Sequence, residues 1–266
     1  MKVYISADME GVTGTSCWDE TIRQQADSAE FRDQMTAEVA AACEGAQKAG
    51  AREILVKDAH GAGRNVVAAR LPREARLVRA ASGHPFAMMQ ELDRTFDAAL
   101  MIGYHSPAGT DGSPLAHTMT RNIAALKFNG QHASEFAISA YTAGHLGVPV
   151  VFLSGDAAIC REAQKLIPSL SAVAVKDGVG GATISIHPLL AVERIRAGVE
   201  AALRADPAAC HVTMPDRFSV ELGYHRHGDA YRASFYPGAR ALGGGSVGFE
   251  ATDYFEVMRF LMFCIV

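Results

Sequence analysis

Two short, mainly apolar runs, residues 3–7 (VYISA) and 53–57 (EILVK), flank one long helical pattern, and this arrangement constrains the fold more than any other feature. Between them Phe31, Met35, Val39, Ala42, Cys43 and Ala46 recur at helical period behind capping-box spacing at Asp27 and Glu30, and Gly50 ends the run. Strand, helix, strand is a βαβ unit with parallel strands. Further apolar runs at 97–102 (DAALMI) and 148–153 (VPVVFL) are continuous rather than alternating, as strands covered on both faces require. The fold class is therefore α/β, a mostly parallel sheet flanked by helices.

Two departures from this alternation follow. Asn129-Gly130 is a strong two-residue hairpin signal, and a helical pattern from Ser134 to His145 comes after it. Beyond a strand-like segment at 172–175, the glycines of 178–181 (GVGG) mark the best candidate boundary. After it come a helical pattern over 188–205, short strands near 210–214, 218–222 and 246–250, and a closing helix from Asp253. We expect a catalytic α/β domain over 1–180 and a smaller α+β domain over 181–266.

The 266 residues are 49% hydrophobic, enough for a sizeable core, and carry a net charge of −4. No Lys/Arg cluster is long enough to track a phosphate backbone, so nucleic acid is not expected as a partner. No membrane span or signal peptide is expected either. The five cysteines are odd in number, scattered and free of any CxxC pair, which argues against disulfides or a cysteine zinc site and favours a reducing cytoplasm.

Three polar clusters each follow directly on an apolar strand: Asp8 and Glu10, Asp58 and His60, Tyr104 and His105. In a parallel sheet all three lie at the carboxyl edge, where open α/β proteins build their sites. Asp8 and Glu10 are two apart, so on extended chain both point the same way. Two carboxylates held side by side repel unless one takes a proton or a cation lies between them. With imidazoles beside them, that cation is zinc or a neighbouring transition metal rather than calcium. Either histidine alone would be an ordinary loop residue; both, at equivalent strand ends beside an acid pair, favour metal.

Other residues are less determined by spacing. Glu135 falls in the first turn of a helix that Ser134 can cap, where acids commonly complement the helix dipole. His117 is open between ligand, general acid/base and exposed side chain. Asp156 reads as a helix N-cap, and Asp58 as a cap or as a residue orienting a histidine. There is no HExxH, GxSxG or Walker P-loop.

SADMEG at 6–11, KDAHG at 57–61, GYHS at 103–106, AHTM at 116–119 and SEFAISAY at 134–141 together resemble the D-aminopeptidase family. That resemblance implies a binuclear zinc aminopeptidase assembled as a homodecameric ring, acting on short D-Ala-containing peptides. Carried over residue by residue, it implies that Asp8 bridges two Zn2+ ions, with Glu10 and His60 completing one site, His105 and Glu135 the other, and His117 as the catalytic histidine. Lys57 and Ser134 depart from the family pattern, at the rim rather than among the ligands.

Two such ions about 3.5 to 4 Å apart activate a shared water and polarise the scissile carbonyl. An alternative is a metallophosphoesterase or other binuclear metal hydrolase, which needs cations near the metals; only Lys57 and Arg64 are placed for that. A non-catalytic metal protein would instead close each ion with four protein ligands.

Overall fold

The computed structural model describes residues 1–265. The chain runs through Lys2–Ala7 (β1), Ser28–Lys48 (α1), Glu53–Asp58 (β2), Ala75–Val78 (β3), Ala98–Tyr104 (β4), Ile123–Phe128 (β5), Gln131–His132 (β6), Glu135–Leu146 (α2) and Val150–Asp156 (β7). It continues through Ala157–Leu166 (α3), Ser171–Val179 (β8), Ala182–Ser185 (β9), Pro188–Arg204 (α4), Phe218–Tyr224 (β10), His227–Ala233 (α5), Arg240–Gly243 (β11), Ser246–Ala251 (β12) and Tyr254–Cys264 (α6).

Seven strands form the larger sheet in the order β3-β2-β1-β4-β7-β8-β9. Every pairing in it is parallel except β8 with β9, so the α/β expectation holds. Strands β1, β4 and β7 are buried almost throughout, the burial that their continuous apolar runs require. From β1 the chain moves outward to β2 and β3, then returns to β4 on β1's other side. The order of winding therefore reverses between β1 and β4, and such a switch point opens a crevice at the strand carboxyl ends.

The βαβ unit is as read from the sequence, although Asp27 makes no side-chain cap on α1. Asn129 and Gly130, both at positive φ, turn β5 into β6, and Ser134 and Asp253 cap α2 and α6. The strand expected near 210–214 is absent; a short 3-10 turn, Pro207–Cys210, and irregular chain stand there. Strands β3, β9 and β11 and helix α5 are too short for periodicity to reveal.

The smaller, antiparallel sheet runs β11-β12-β10-β5-β6. Relative to a division at residue 180 the chain crosses twice. The β5–β6 hairpin joins the smaller sheet by pairing β5 with β10, whereas α4 packs on α1 in the core of the larger one. Of the glycines at 178–181, Gly178 pairs with Thr183 inside the β8–β9 hairpin, and Gly180 and Gly181 form its turn. Between the two cores lies α2. Its Phe136, Ala140 and Ala143 pack with the larger sheet and its Ala137 and Ile138 with the smaller, as a helix that is apolar nearly all round must.

Candidate metal centre and active site

Asp8 follows β1 by one residue, His60 follows β2 by two, His105 follows β4 by one, and Glu135 opens α2. The loop carrying Asp8 and Glu10 is pinned to the end of β4 by two backbone bonds of 2.8 Å, from the Asp8 N–H to the Ile102 carbonyl and from the Gly11 N–H to that of Gly103. Gly11 is required there, since a Cβ would fall 1.8 Å from the Tyr104 carbonyl oxygen. On the loop's far side the ammonium of Lys176, buried in β8, donates to the carbonyls of Glu10 at 2.5 Å and Thr15 at 2.6 Å. A lysine interrupting the apolar run of β8 is the signal that could have singled it out.

The six residues Asp8, Glu10, His60, His105, His117 and Glu135 converge. His60 Nδ1 lies 2.9 Å from Glu10 Oε2 and 3.3 Å from Asp8 Oδ1. His105 Nε2 lies 3.4 Å from Asp8 Oδ2 and 3.5 Å from Glu135 Oε2. The two oxygens of Asp8 thus divide between the two histidines. His117 Nε2 stands 3.5 Å from Glu135 Oε1 and 3.9 Å from Glu10 Oε1, its ring stacked on that of His105 at 4.3 Å. The ligating atoms of Asp8, Glu10 and His105 lie within 4.8 Å of one another, as do those of His105, His117 and Glu135.

The far side of each ring fixes its tautomer. His60 Nε2 meets the Thr21 carbonyl, His105 Nδ1 that of Ser106 and His117 Nδ1 that of Leu115, each at 2.9 Å. A carbonyl only accepts, so each of those nitrogens carries the proton and a neutral ring presents its lone pair inward. Three lone pairs then face three carboxylates, acceptor against acceptor. Asp8 Oδ2 and His105 Nε2 are buried with no hydrogen-bond partner, an expensive state unless a cation satisfies them. The donor set, imidazole and carboxylate together, fits zinc.

In the metal-free protein protons must play the cation's part. Burial alone would lower His60 and His105, but Glu10 and Asp8 acting on the first, and Glu135 and Asp8 on the second, hold both well above the ordinary imidazole range. Burial would likewise raise Asp8 and Glu10. Once His105 and His60 carry a second proton they hold Asp8 well below the usual carboxylate range, and the charge of His60 lowers Glu10.

Not every strand-end residue joins in. Tyr104 and His105 are consecutive and point oppositely. The Tyr104 hydroxyl turns into the core, 2.7 Å from Ser6 Oγ and 3.2 Å from Ser139 Oγ, so it is no ligand. Asp58 accepts from the backbone of Asn65 and Val66 and from the Asn65 side chain, which in turn donates to the His60 carbonyl. It therefore shapes the His60 loop through Asn65 and makes no bond to an imidazole. Asp156 caps α3 as expected and also takes both hydrogen bonds of Ser106, next to His105. Lys57 spends its buried ammonium on the Ala80 carbonyl at 2.8 Å.

The cluster forms the floor of a cavity of about 470 Å³, within the ordinary range for small-ligand sites. Its walls include Trp18, whose ring stands edge-on to His117 at 5.1 Å, and the side chains of Arg23, Arg64 and Arg121. Trp18, Arg23 and Arg121 come from loops without period or motif, and no sequence signal marks them.

A family model described as D-aminopeptidase matches residues 1–263. The chain is 31% identical to a D-aminopeptidase of Bacillus subtilis (strain 168) over 266 residues, 98% of this chain and 96% of that protein. Among solved structures it is similar to the Zn-dependent D-aminopeptidase DppA from Bacillus subtilis, a self-compartmentalizing protease. The TM-score is 0.93 at 30% identity, covering 99% of this chain and 96% of the other.

Proposed function

The chain belongs to the D-aminopeptidase family, and from that premise we propose that it is a zinc-dependent aminopeptidase releasing N-terminal D-amino acids from short peptides. The observation that carries the reading is the inward lone pair of three histidines, each fixed by a backbone carbonyl, facing three carboxylates. Zinc would be held as two ions. Asp8 would serve both, with Glu10 and His60 holding one and His105 and Glu135 the other. Bound there, zinc supplies a Lewis acid for the scissile carbonyl and a water acidified toward neutrality.

The chain's own groups do the rest. The Nδ1–H of His117 is tied to Leu115, leaving Nε2 facing the cavity to take a proton and pass it to the departing amine. The Trp18 ring against His117 keeps water from its outer edge. The carboxylate floor favours an unblocked substrate amine. Turnover of D-Ala-D-Ala and not L-Ala-L-Ala by zinc-loaded enzyme, abolished by EDTA, is the expected result; equal turnover of the two would remove the D preference. Hydrolysis of p-nitrophenyl phosphate in place of a D-alanyl anilide would favour a phosphoesterase instead.

The subunit would work as a closed homodecamer. Tyr231, Phe235, Leu242 and Phe263 are apolar side chains left exposed by α5, β11 and α6 and the chain beside them, and an assembly would cover them. Light scattering should give ten times the mass of one chain. No helix among the described residues is long and apolar enough to cross a membrane, and a cytoplasmic setting suits five free thiols.

A further inference from the structure

The mouth of the active-site cavity carries three arginines above a floor of three carboxylates, in a chain whose net charge is −4. Elsewhere seven arginines take an acidic partner: Arg70, Arg196, Arg204, Arg217, Arg226, Arg240 and Arg259. Among the described residues Arg23, Arg64 and Arg121 take none, as is true of several other arginines; what sets these three apart is that they line one cavity together, above the carboxylates of its floor.

Their placement is built rather than incidental. Arg23 donates from Nη1 to the Arg64 carbonyl, which joins the two loops that wall in His60. Thr21, two residues before Arg23, receives the His60 Nε2–H, and Asn65, next to Arg64, holds the His60 carbonyl. On the other wall the Arg121 guanidinium carbon lies 5.0 Å from the centre of the Trp18 ring, the ring that abuts His117. The charge of Arg32, together with desolvation and the further charges of Arg79 and Arg64, lowers the affinity of Arg23 for its proton, and Asp58 offsets them only in part.

We propose that Arg64, Arg121 and Arg23 form an anion-binding rim that holds the C-terminal carboxylate of the substrate, restricting it to di- and tripeptides with a free C-terminus. The proposal rests on the aminopeptidase reading for which end of the peptide lies on the floor. A residue spans at most about 3.6 Å, so two or three residues carry a carboxylate at most about 7 to 11 Å from the amine. Guanidinium is the donor whose planar fork matches a carboxylate. A longer chain would have to carry its own carboxylate past the rim.

The test uses zinc-loaded protein and a non-cleavable D-Ala-D-Ala analogue, with a methylene in place of the scissile carbonyl, as the free acid and as the C-terminal amide. Trp18 is the sole tryptophan, so its fluorescence reads binding at this cavity directly. The acid should bind on the order of tenfold tighter than the amide at low salt, and the gap should narrow as salt rises. In the double variant Arg64→Gln, Arg121→Gln, which keeps Arg23, the acid should fall most of the way to the level of the amide, while the amide stays unchanged. Equal binding of acid and amide by the wild type, or a gap undiminished in the double variant, overturns the rim. Turnover of D-Ala-D-Ala and its amide is followed separately. There the variants should raise KM for the free acid with little change in kcat. A binding gap that persists when neither peptide is cleaved would sink the proposed reaction and leave the rim standing.

Discussion

At the scale of single residues, the cluster separates roles that spacing alone could not. His117 Nε2 lies within ligand range of His105 and Glu135, yet its ring also borders the open cavity. If it is the proton carrier, His117→Ala keeps both zinc ions by elemental analysis and loses about 10²- to 10⁴-fold in kcat; zinc lost along with activity would make it a ligand. Lys176 acts on the backbone of Glu10 rather than on substrate. Burial lowers its ammonium to about 8, and two carbonyls absorb its protons. Lys176→Met should leave the near-UV circular dichroism intact while weakening zinc affinity about 10- to 100-fold in a chelator competition, the usual cost of loosening a ligand's support. Unchanged affinity would show that the Gly11 contact alone holds the loop.

At the scale of elements, what could be read from the sequence was whatever depends on a strand and the residue that ends it. Asp8, His60 and His105 could be placed together because parallel strands share one carboxyl edge, whatever their order. Tyr104 was swept in by the same argument and fell out because successive side chains alternate. Glu135 needed more than its first-turn position, since its value lies in α2 being wedged between two cores, a fact of packing. The Asn129-Gly130 turn was plain, whereas the partner of β5, strand β10, enters long after it in the chain. Trp18 and Arg121 reach the site through contacts between segments distant in the chain, which no local period encodes, whereas Lys176 is marked by interrupting the apolar run of β8. The junction of β1 and β4 offers a sharp check. Gly11→Ala drives a methyl into the Tyr104 carbonyl and should cost about 1 to 3 kcal/mol or more in urea unfolding, with loss of zinc. A variant that keeps both stability and metal would show that the loop has room to shift.

At the scale of the whole molecule, the site's charge balance sets how stability follows pH. In the zinc-free protein His60 and His105 are raised, so their contribution is fully present below about 6.5 and is lost as pH climbs through the raised values. Asp8 and Glu10 are depressed, so theirs is present above about pH 4 and is lost as pH falls. Tm in EDTA should therefore decline as pH rises above about 6.5, by roughly 2 to 4 °C for each kcal/mol forfeited. With zinc bound that decline should shrink, and loading at pH 6 should release protons, seen in calorimetry as heats that depend on the buffer. A Tm in EDTA that stays level over this range would mean that the histidines are already neutral.

Helix α2, apolar nearly all round and gripped on two sides, behaves as a keel. Its first residue cannot tilt toward one guest and away from another without shearing both halves of the hull. A reaction centre so braced is indifferent to the shape of what arrives, and the sorting of guests falls to the softer parts of the vessel, the irregular loops at the cavity mouth. Divergence among relatives should then concentrate in those loops, leaving the braced chemistry beneath them alone.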